Sequence, residues 1–265
     1  MKTIFWLLIA LLASCSKESP KEKLAPLPKP PQDPMTIRVA LEENVEWGYY
    51  QFILDGQHRG LEIDLLKHID TQSPYTIQFT EKPWKRAMKS ALNGNIDILI
   101  SATSSPKRDH YYDYTDKIYE INQVLYYDTR RYPDGFSFMN QDQLGAYKIG
   151  SILGYNIDAI RFPISHSGFR SLSDMAQAIE KGHIDFGVGY LELENYNKHM
   201  PKPFSHVAIP NHPPLHCHWL IAKDNPRKAD ILSELNLGLK KLKTSGQYAT
   251  LEAVYTGHTS PHDRD

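Results

Sequence analysis

The chain has 265 residues, 41% hydrophobic and 23% charged, a length that suits one large domain or two lobes. Its 30 Lys and Arg stand against 31 Asp and Glu, for a net charge of -1. That balance offers no basic field to a polyanion, so no nucleic-acid partner is expected.

The N-terminus sets the compartment. Lys2 precedes an apolar run over 4–12 that is too short to span a bilayer, and Leu12-Ala13-Ser14 leads into Cys15. That order predicts a secretory signal peptide over 1–14. Small residues directly before a cysteine resemble the bacterial lipobox, which implies that Cys15 becomes the lipidated first residue of the mature chain. Acyl chains on Cys15 would hold the protein to the membrane on the periplasmic side of the cell envelope. The segment over 15–35 is rich in proline, with Lys, Glu, Ser and Gln between, and predicts an extended tether. With Cys15 modified, Cys217 has no cysteine to pair with.

Beyond the tether, a strand is predicted over 36–41, a helix over 61–69 and a second strand over 75–79. Pro83 then opens a helix that stops at Gly94. Met88-Lys89-Ser90-Ala91-Leu92-Asn93-Gly94-Asn95-Ile96-Asp97-Ile98-Leu99-Ile100 reads as a helix, a glycine stop and a buried strand. A strand over 123–127 leaves this first unit, and one over 148–151 begins a second, followed by a short helix over 156–161. Met175-Ala176-Gln177-Ala178-Ile179-Glu180-Lys181-Gly182-His183-Ile184-Asp185-Phe186-Gly187-Val188 repeats the helix, glycine and strand grammar. A strand over 219–222 returns to the first unit. Ile231, Leu232, Leu235, Leu239 and Leu242 recur at helical spacing over 226–242. The expected fold is α/β, two Rossmann-like lobes joined by a two-strand hinge. Lobe one takes 36–127 and 218–257, lobe two takes 128–217, and a polar tail covers 258–265.

Ser101-Ala102-Thr103-Ser104-Ser105-Pro106-Lys107-Arg108 follows the strand ending near Ile100. Hydroxyls, free backbone N–H groups and a helix opened by Pro106 suit an anion, and Arg108 adds a planar fork matched to a carboxylate. The competing reading is a capped surface helix with a solvated arginine.

Ser105-Pro106-Lys107-Arg108 and Asp113-Tyr114-Thr115-Asp116-Lys117-Ile118-Tyr119 resemble the extracytoplasmic solute-binding proteins of family 3, the amino-acid type. Gly60-Leu61-Glu62-Ile63-Asp64-Leu65, both Gly-x-Ile-Asp units, Lys223-Asp224-Asn225-Pro226 and the run over 239–248 belong to the same resemblance, which spans nearly all of 35–257. It implies a type II periplasmic-binding-protein fold, monomeric, that captures a small polar carboxylate-bearing solute for an ABC permease. A sensing role beside a membrane receptor, or a dehydratase-like activity on the same fold, is the alternative. By resemblance, Arg108 clamps the ligand carboxylate with Thr103 and Ser101, and Trp84 walls the ligand. Glu42 is a polar cleft residue, while Trp47, Tyr49 and Tyr50 lie in an aromatic loop. Gly154-Tyr155-Asn156 meets the carboxylate from lobe two, with Asn156 at the helix start.

One position departs from the family. The aspartate that commonly pairs with a ligand ammonium falls at Tyr190 here, with Glu192 and Glu194 beyond it. Either Glu42 or Glu192 replaces it, Tyr190 makes a cation–π contact, or the ligand lacks an amine. His212, His216, Cys217 and His218 invite a metal reading, but a strand points His216 and His218 away from Cys217, so no metal or other cofactor is expected. No nucleophile motif or phosphate loop points to an enzyme.

Overall fold

In the computed structural model the described residues are 33, 35–43, 48–157, 160, 166–192 and 203–256. The predicted signal peptide with Cys15, the tether up to residue 32, Trp47, Glu194 and the tail over 258–265 lie outside them. Apolar runs bounded by turn residues become the central strands of two sheets. The first run gives β1 (Thr36–Glu42). A short hairpin follows, β2 (Phe52–Leu54) and β3 (Gln57–Arg59), then α1 (Leu61–Asp70). Next come β4 (Thr76–Lys82), α2 (Trp84–Leu92) and β5 (Ile98–Thr103). Two short strands, β6 (Tyr112–Tyr114) and β7 (Tyr119–Ile121), precede β8 (Gln123–Asp128). The second half holds β9 (Ile149–Ile152), β10 (His166–Phe169), α3 (Leu172–Glu180), β11 (Phe186–Tyr190) and β12 (Phe204–Ala208). The chain closes with β13 (Leu215–Ala222), α4 (Lys228–Thr244) and α5 (Gln247–Thr256).

The first sheet runs β4-β1-β5-β13-β6, with β7 also on β13; the second runs β10-β9-β11-β8-β12. In each, the first three strands are parallel and the strand that arrives from the other sheet's side of the chain is antiparallel. The two-lobed α/β architecture expected from the sequence is therefore present. The expected boundaries at 127/128 and 217/218 fall inside β8 and β13. Hydrogen bonding puts β8 wholly in the second sheet and β13 wholly in the first, so the chain crosses at Asn122 and again between Ala208 and Leu215.

The sequence repeat is a structural repeat down to single hydrogen bonds. Gly94 and Gly182 end their helices at φ values of 69° and 70°, where a glycine has no Cβ to clash. The N–H of Asp97 donates to the Arg38 carbonyl and that of Asp185 to the Lys148 carbonyl. In return, the N–H of Arg38 donates to Asp97 Oδ2 and that of Lys148 to Asp185 Oδ2, each at 2.9 Å. Each aspartate thus fastens the start of its strand to the neighbouring strand.

Asp97 carries more. Arg38 and Arg227 reach it at 2.8 and 2.9 Å and Asn225 donates to it at 3.1 Å. Burial alone would raise its pKa, but these bonds outweigh burial and lower it. The Lys223-Asp224-Asn225-Pro226 motif is explained by this: Asn225 links Asp97 to the start of α4, where its Oδ1 accepts from the Arg227 N–H. Helix α4 then buries Ile231, Leu235, Leu239 and Leu242, each worth about 1.5–3 kcal/mol of apolar burial.

Two expected helices differ. Pro106 does not open a helix of any length: a single 3₁₀ turn, Arg108–His110, is all that fits before β6, where Tyr112 is buried. Of the helix expected over 156–161, Asn156 and Ile157 are non-helical, and 158, 159 and 161 lie outside the described residues.

Replacing Asp97 with Ala leaves two partly buried guanidinium groups without their shared carboxylate. We expect Asp97→Ala to cost about 3–5 kcal/mol in urea unfolding, and Asp185→Ala, whose side chain is more exposed, to cost less. Equal costs would contradict the difference in burial.

Candidate functional site

The residue chemistry that the sequence singled out converges where the two sheets meet. Arg108 follows β5 and is 6% exposed, so its charge lies inside the protein. Its Nη1 donates to the Thr103 carbonyl at 2.6 Å and approaches Thr103 Oγ1 at 3.4 Å. Its Nη2 crosses to the second lobe and donates to the Gly154 carbonyl at 2.9 Å. The guanidinium carbon lies 5.5 Å from the Trp84 ring centroid, within cation–π range. Trp84 Nε1 donates to the same Gly154 carbonyl at 3.2 Å. Two first-lobe donors therefore share one second-lobe acceptor.

A second strap runs the other way. Asn156 Nδ2 donates to Thr103 Oγ1 at 3.0 Å and to the Ser104 carbonyl at 2.7 Å. Gly154 must be small here: its φ is 94°, and a Cβ would come within 2.9 Å of Trp84 Cδ1.

Behind these straps the second lobe presents uncharged polar groups. Gln123 Nε2, at the start of β8, donates to the Asn156 carbonyl at 2.6 Å and approaches the Tyr190 hydroxyl at 3.4 Å. Gln123 Oε1 meets His212 Nε2 at 2.9 Å. Tyr190 ends β11, accepts at its carbonyl from the Tyr126 hydroxyl at 2.9 Å, and has its ring centroid 5.8 Å from that of Tyr155. Burial pushes the phenols of Tyr155 and Tyr190 up; the charge of Glu42 adds to both, while Arg108 pulls Tyr190 back. Glu42, 9% exposed at the end of β1, therefore reaches the same region electrostatically.

Arg108 thus meets Thr103 and Trp84, and Asn156 meets Thr103, with Tyr190 two hydrogen bonds behind through Gln123 and Glu42 acting on it electrostatically. Ser101 is not in this group. Its N–H donates to Glu62 Oε1 at 3.1 Å and its hydroxyl donates to Glu62 Oε2, inside the first lobe. Tyr50 is stacked on Tyr119 at 3.7 Å within the first-lobe core, and the Tyr49 hydroxyl donates to that of Tyr50. Glu192 is taken by the chain crossing: its carboxylate accepts from the Asn122 N–H and side-chain amide at 2.7–3.0 Å. In the sequence, Gln123 reads only as the start of a strand, Glu62 only as part of the family motif, and His212 only as a metal candidate. A glutamine opening the apolar run Val124-Leu125-Tyr126-Tyr127 is a usable signal for the first.

Comparison with known proteins agrees with the two-lobed fold. The family model for bacterial extracellular solute-binding proteins, family 3, matches residues 37–258. A protein of Neisseria gonorrhoeae named "Probable histidine-binding protein" is 25% identical over 258 residues, which is 92% of this chain and 90% of that protein. Among solved structures, the arginine-, lysine-, histidine-binding protein of Geobacillus stearothermophilus superposes with a TM-score of 0.70 at 18% identity, covering 86% of this chain and 98% of that one. A histidine kinase sensor domain with similarity to periplasmic binding proteins superposes at 0.67 and 16% identity, covering 85% and 98%.

Glu62 makes stability depend on pH. Burial pushes its carboxyl up to about 7, opposed by the hydrogen bonds from Ser101 and Trp219. The native state then holds a proton that the unfolded chain has already released. The contribution of Glu62 to stability therefore falls as pH rises from the ordinary carboxylate range to about 7. We expect Tm measured across that window to fall less steeply in Glu62→Gln, and an unchanged slope would assign the dependence elsewhere.

Proposed function

The chain belongs to the bacterial extracellular solute-binding proteins, family 3, and from that premise we propose that it captures an amino acid or a related carboxylate-bearing solute between its lobes for an ABC permease. It is a binding protein and not an enzyme. The observation that carries the solute class is the buried Arg108 guanidinium, held by an oxygen of each lobe. Both oxygens are neutral carbonyls. A carboxylate offers two charged oxygens in the planar spacing that a guanidinium fork matches, and such charge-assisted bonds are roughly twice as strong as neutral ones.

In this reading a solute carboxylate takes Arg108 hydrogens in place of the Gly154 carbonyl. The Thr103 hydroxyl and the Asn156 amide add neutral bonds, and the Trp84 ring covers the apolar part. With Tyr190 at the position where the family has an aspartate, Glu42 supplies the negative charge for an ammonium group. It is the buried carboxylate that acts on both Tyr155 and Tyr190. Glu192 is already committed to Asn122, which argues against its serving that role.

A panel of L-histidine, L-arginine, L-glutamine and small dicarboxylates, read by thermal shift, tests this. A true ligand at about 100 times its Kd stabilises by about 2.7 kcal/mol. Arg108→Ala is expected to abolish the shift while circular dichroism shows an intact fold. A shift of wild-type size in that variant would remove Arg108 from the site.

We further propose that Cys15 carries the lipid, that the proline-rich segment lifts a monomeric binding domain from the membrane, and that the domain works on the periplasmic side. Metabolic labelling with a palmitate analogue should mark the wild-type protein and not Cys15→Ser, which should be released in soluble form. Equal labelling of both would overturn the anchor.

A further inference from the structure

A backbone irregularity inside the first sheet links a buried acid to the seam between the lobes. Ser101 has a φ of 54°, in the left-handed region that a residue with a side chain rarely adopts. The pairing of β5 with β13 shows what this does. Thr103 pairs with Cys217 and Ala102 with His218, and then Leu99 pairs with Leu220. Three steps on β5 match two on β13, which is a β-bulge.

The side chains record the same event. Leu99 and Ala102 lie in one core cluster, with Trp84, Ala87 and Ala91 of α2. Ile98 and Ile100 lie in the other, with Leu61, Ile63 and Leu65 of α1. In a regular strand residues three apart face opposite sides, so Leu99 and Ala102 should not share a cluster. The extra residue brings Ala102 back to the α2 face and turns Thr103 to the other. Without it, Thr103 would follow Leu99 under α2, away from Asn156.

Glu62 is bonded to Ser101 in that conformation. It is fully buried on α1, whose first N–H groups are fixed by the Tyr49 and Tyr50 carbonyls. Its two oxygens take the Ser101 N–H at 3.1 Å, the Ser101 hydroxyl, and Trp219 Nε1 at 3.1 Å. Tyr119, Cys217 and Tyr248 face it from β7, β13 and α5, and Arg108 and Glu192 act in turn on Cys217. An acid this deep is costly to keep unless its bonds are needed.

We propose that Glu62 is a positioning residue for the solute site, pinning the left-handed Ser101 so that the β5 bulge turns Thr103, and with it Arg108, toward the second lobe. The functional half of this rests on Arg108 as the solute clamp; the structural half does not.

The two halves are separated by four variants. Glu62→Leu keeps the volume and removes the acceptors. Glu62→Gln keeps an acceptor and should retain the bulge. Ser101→Gly takes a positive φ without strain, so it should behave as wild type alone and should restore Glu62→Leu when combined with it. Crystal structures of Glu62→Leu are expected to show Ser101 at negative φ and the Arg108 bond to the Thr103 carbonyl lost, with both features regained in the double variant. Calorimetry with whichever of L-histidine, L-arginine and L-glutamine the wild type binds should show affinity down about tenfold in Glu62→Leu, a loss that the double variant reverses.

A folded Glu62→Leu with the bulge intact, or a double variant no better than the single one, overturns the proposal. Should Glu62→Leu fail to fold, Ser101→Val carries the test with Glu62 intact: valine resists positive φ, so it must disturb the Arg108 bond where glycine does not, and equal behaviour of the two overturns it. Should the wild type bind none of the three amino acids, the functional reading fails while the crystal structures still decide the role of Glu62.

Discussion

Arg108 carries a full positive charge at a depth where water supplies little screening, and its hydrogens are met by oxygens from both lobes. Almost everything else at the seam is arranged around that fact. Trp84 lies against the guanidinium and bonds the same Gly154 carbonyl, Asn156 straps Thr103 from the opposite side, and Gly154 has no side chain because Trp84 occupies that space. Hydrogen bonds to charged groups contribute about 1.5–3 kcal/mol each when buried, so moving Arg108 would undo the fit of two lobes at once. The first lobe keeps it in place through Thr103, and Thr103 through the bulge at Ser101.

The two lobes can meet with such economy because each is built on one motif. A glycine stops the helix, an aspartate three residues later grips the neighbouring strand by both its N–H and its carboxylate, and the apolar strand follows. The first copy has been elaborated, since Asp97 also gathers Arg38, Arg227 and Asn225 and so ties the returning chain to the first sheet. The second copy is simpler, with Arg131 and Tyr132 on Asp185. Their difference in burial follows from topology: α4 begins beside Asp97, whereas Asp185 has an arginine and a tyrosine from the loop after β8.

Periodicity and turn chemistry carry much of this fold in readable form. The central strands, α1, α2 and α4, and the repeat itself are legible because apolar spacing and glycine stops agree with each other there. Edge elements are less so: β10 is His166-Ser167-Gly168-Phe169, with no apolar alternation, since an edge strand packs little. The β2–β3 hairpin did have a signal, Asp55-Gly56 with both residues at positive φ, a turn suited to two-residue hairpins. Of the proposed site, Arg108, Thr103, Trp84 and Asn156 are marked in the sequence by residue type and motif. The bonding of the Ser101 side chain to Glu62 is not legible, because nothing in a serine announces a left-handed backbone and Glu62 is 39 residues away. Pro106 suggested a helix, but the space before β6 permits one 3₁₀ turn.

The Gly154 carbonyl has a consequence of its own. It accepts from both Arg108 and Trp84, so under the proposal that Arg108 clamps the solute it would be a tethered rival for the donors an incoming anion needs. Under that proposal the rival is always at hand, so a fraction of molecules would be self-occluded and the measured affinity would be the intrinsic one diminished by that fraction. The same proposal gives a path out: as the anion departs, the carbonyl would take its place hydrogen by hydrogen, so that no stage of release leaves a bare buried charge. A protein whose task is to hand over cargo gains from a grip that can be loosened from within.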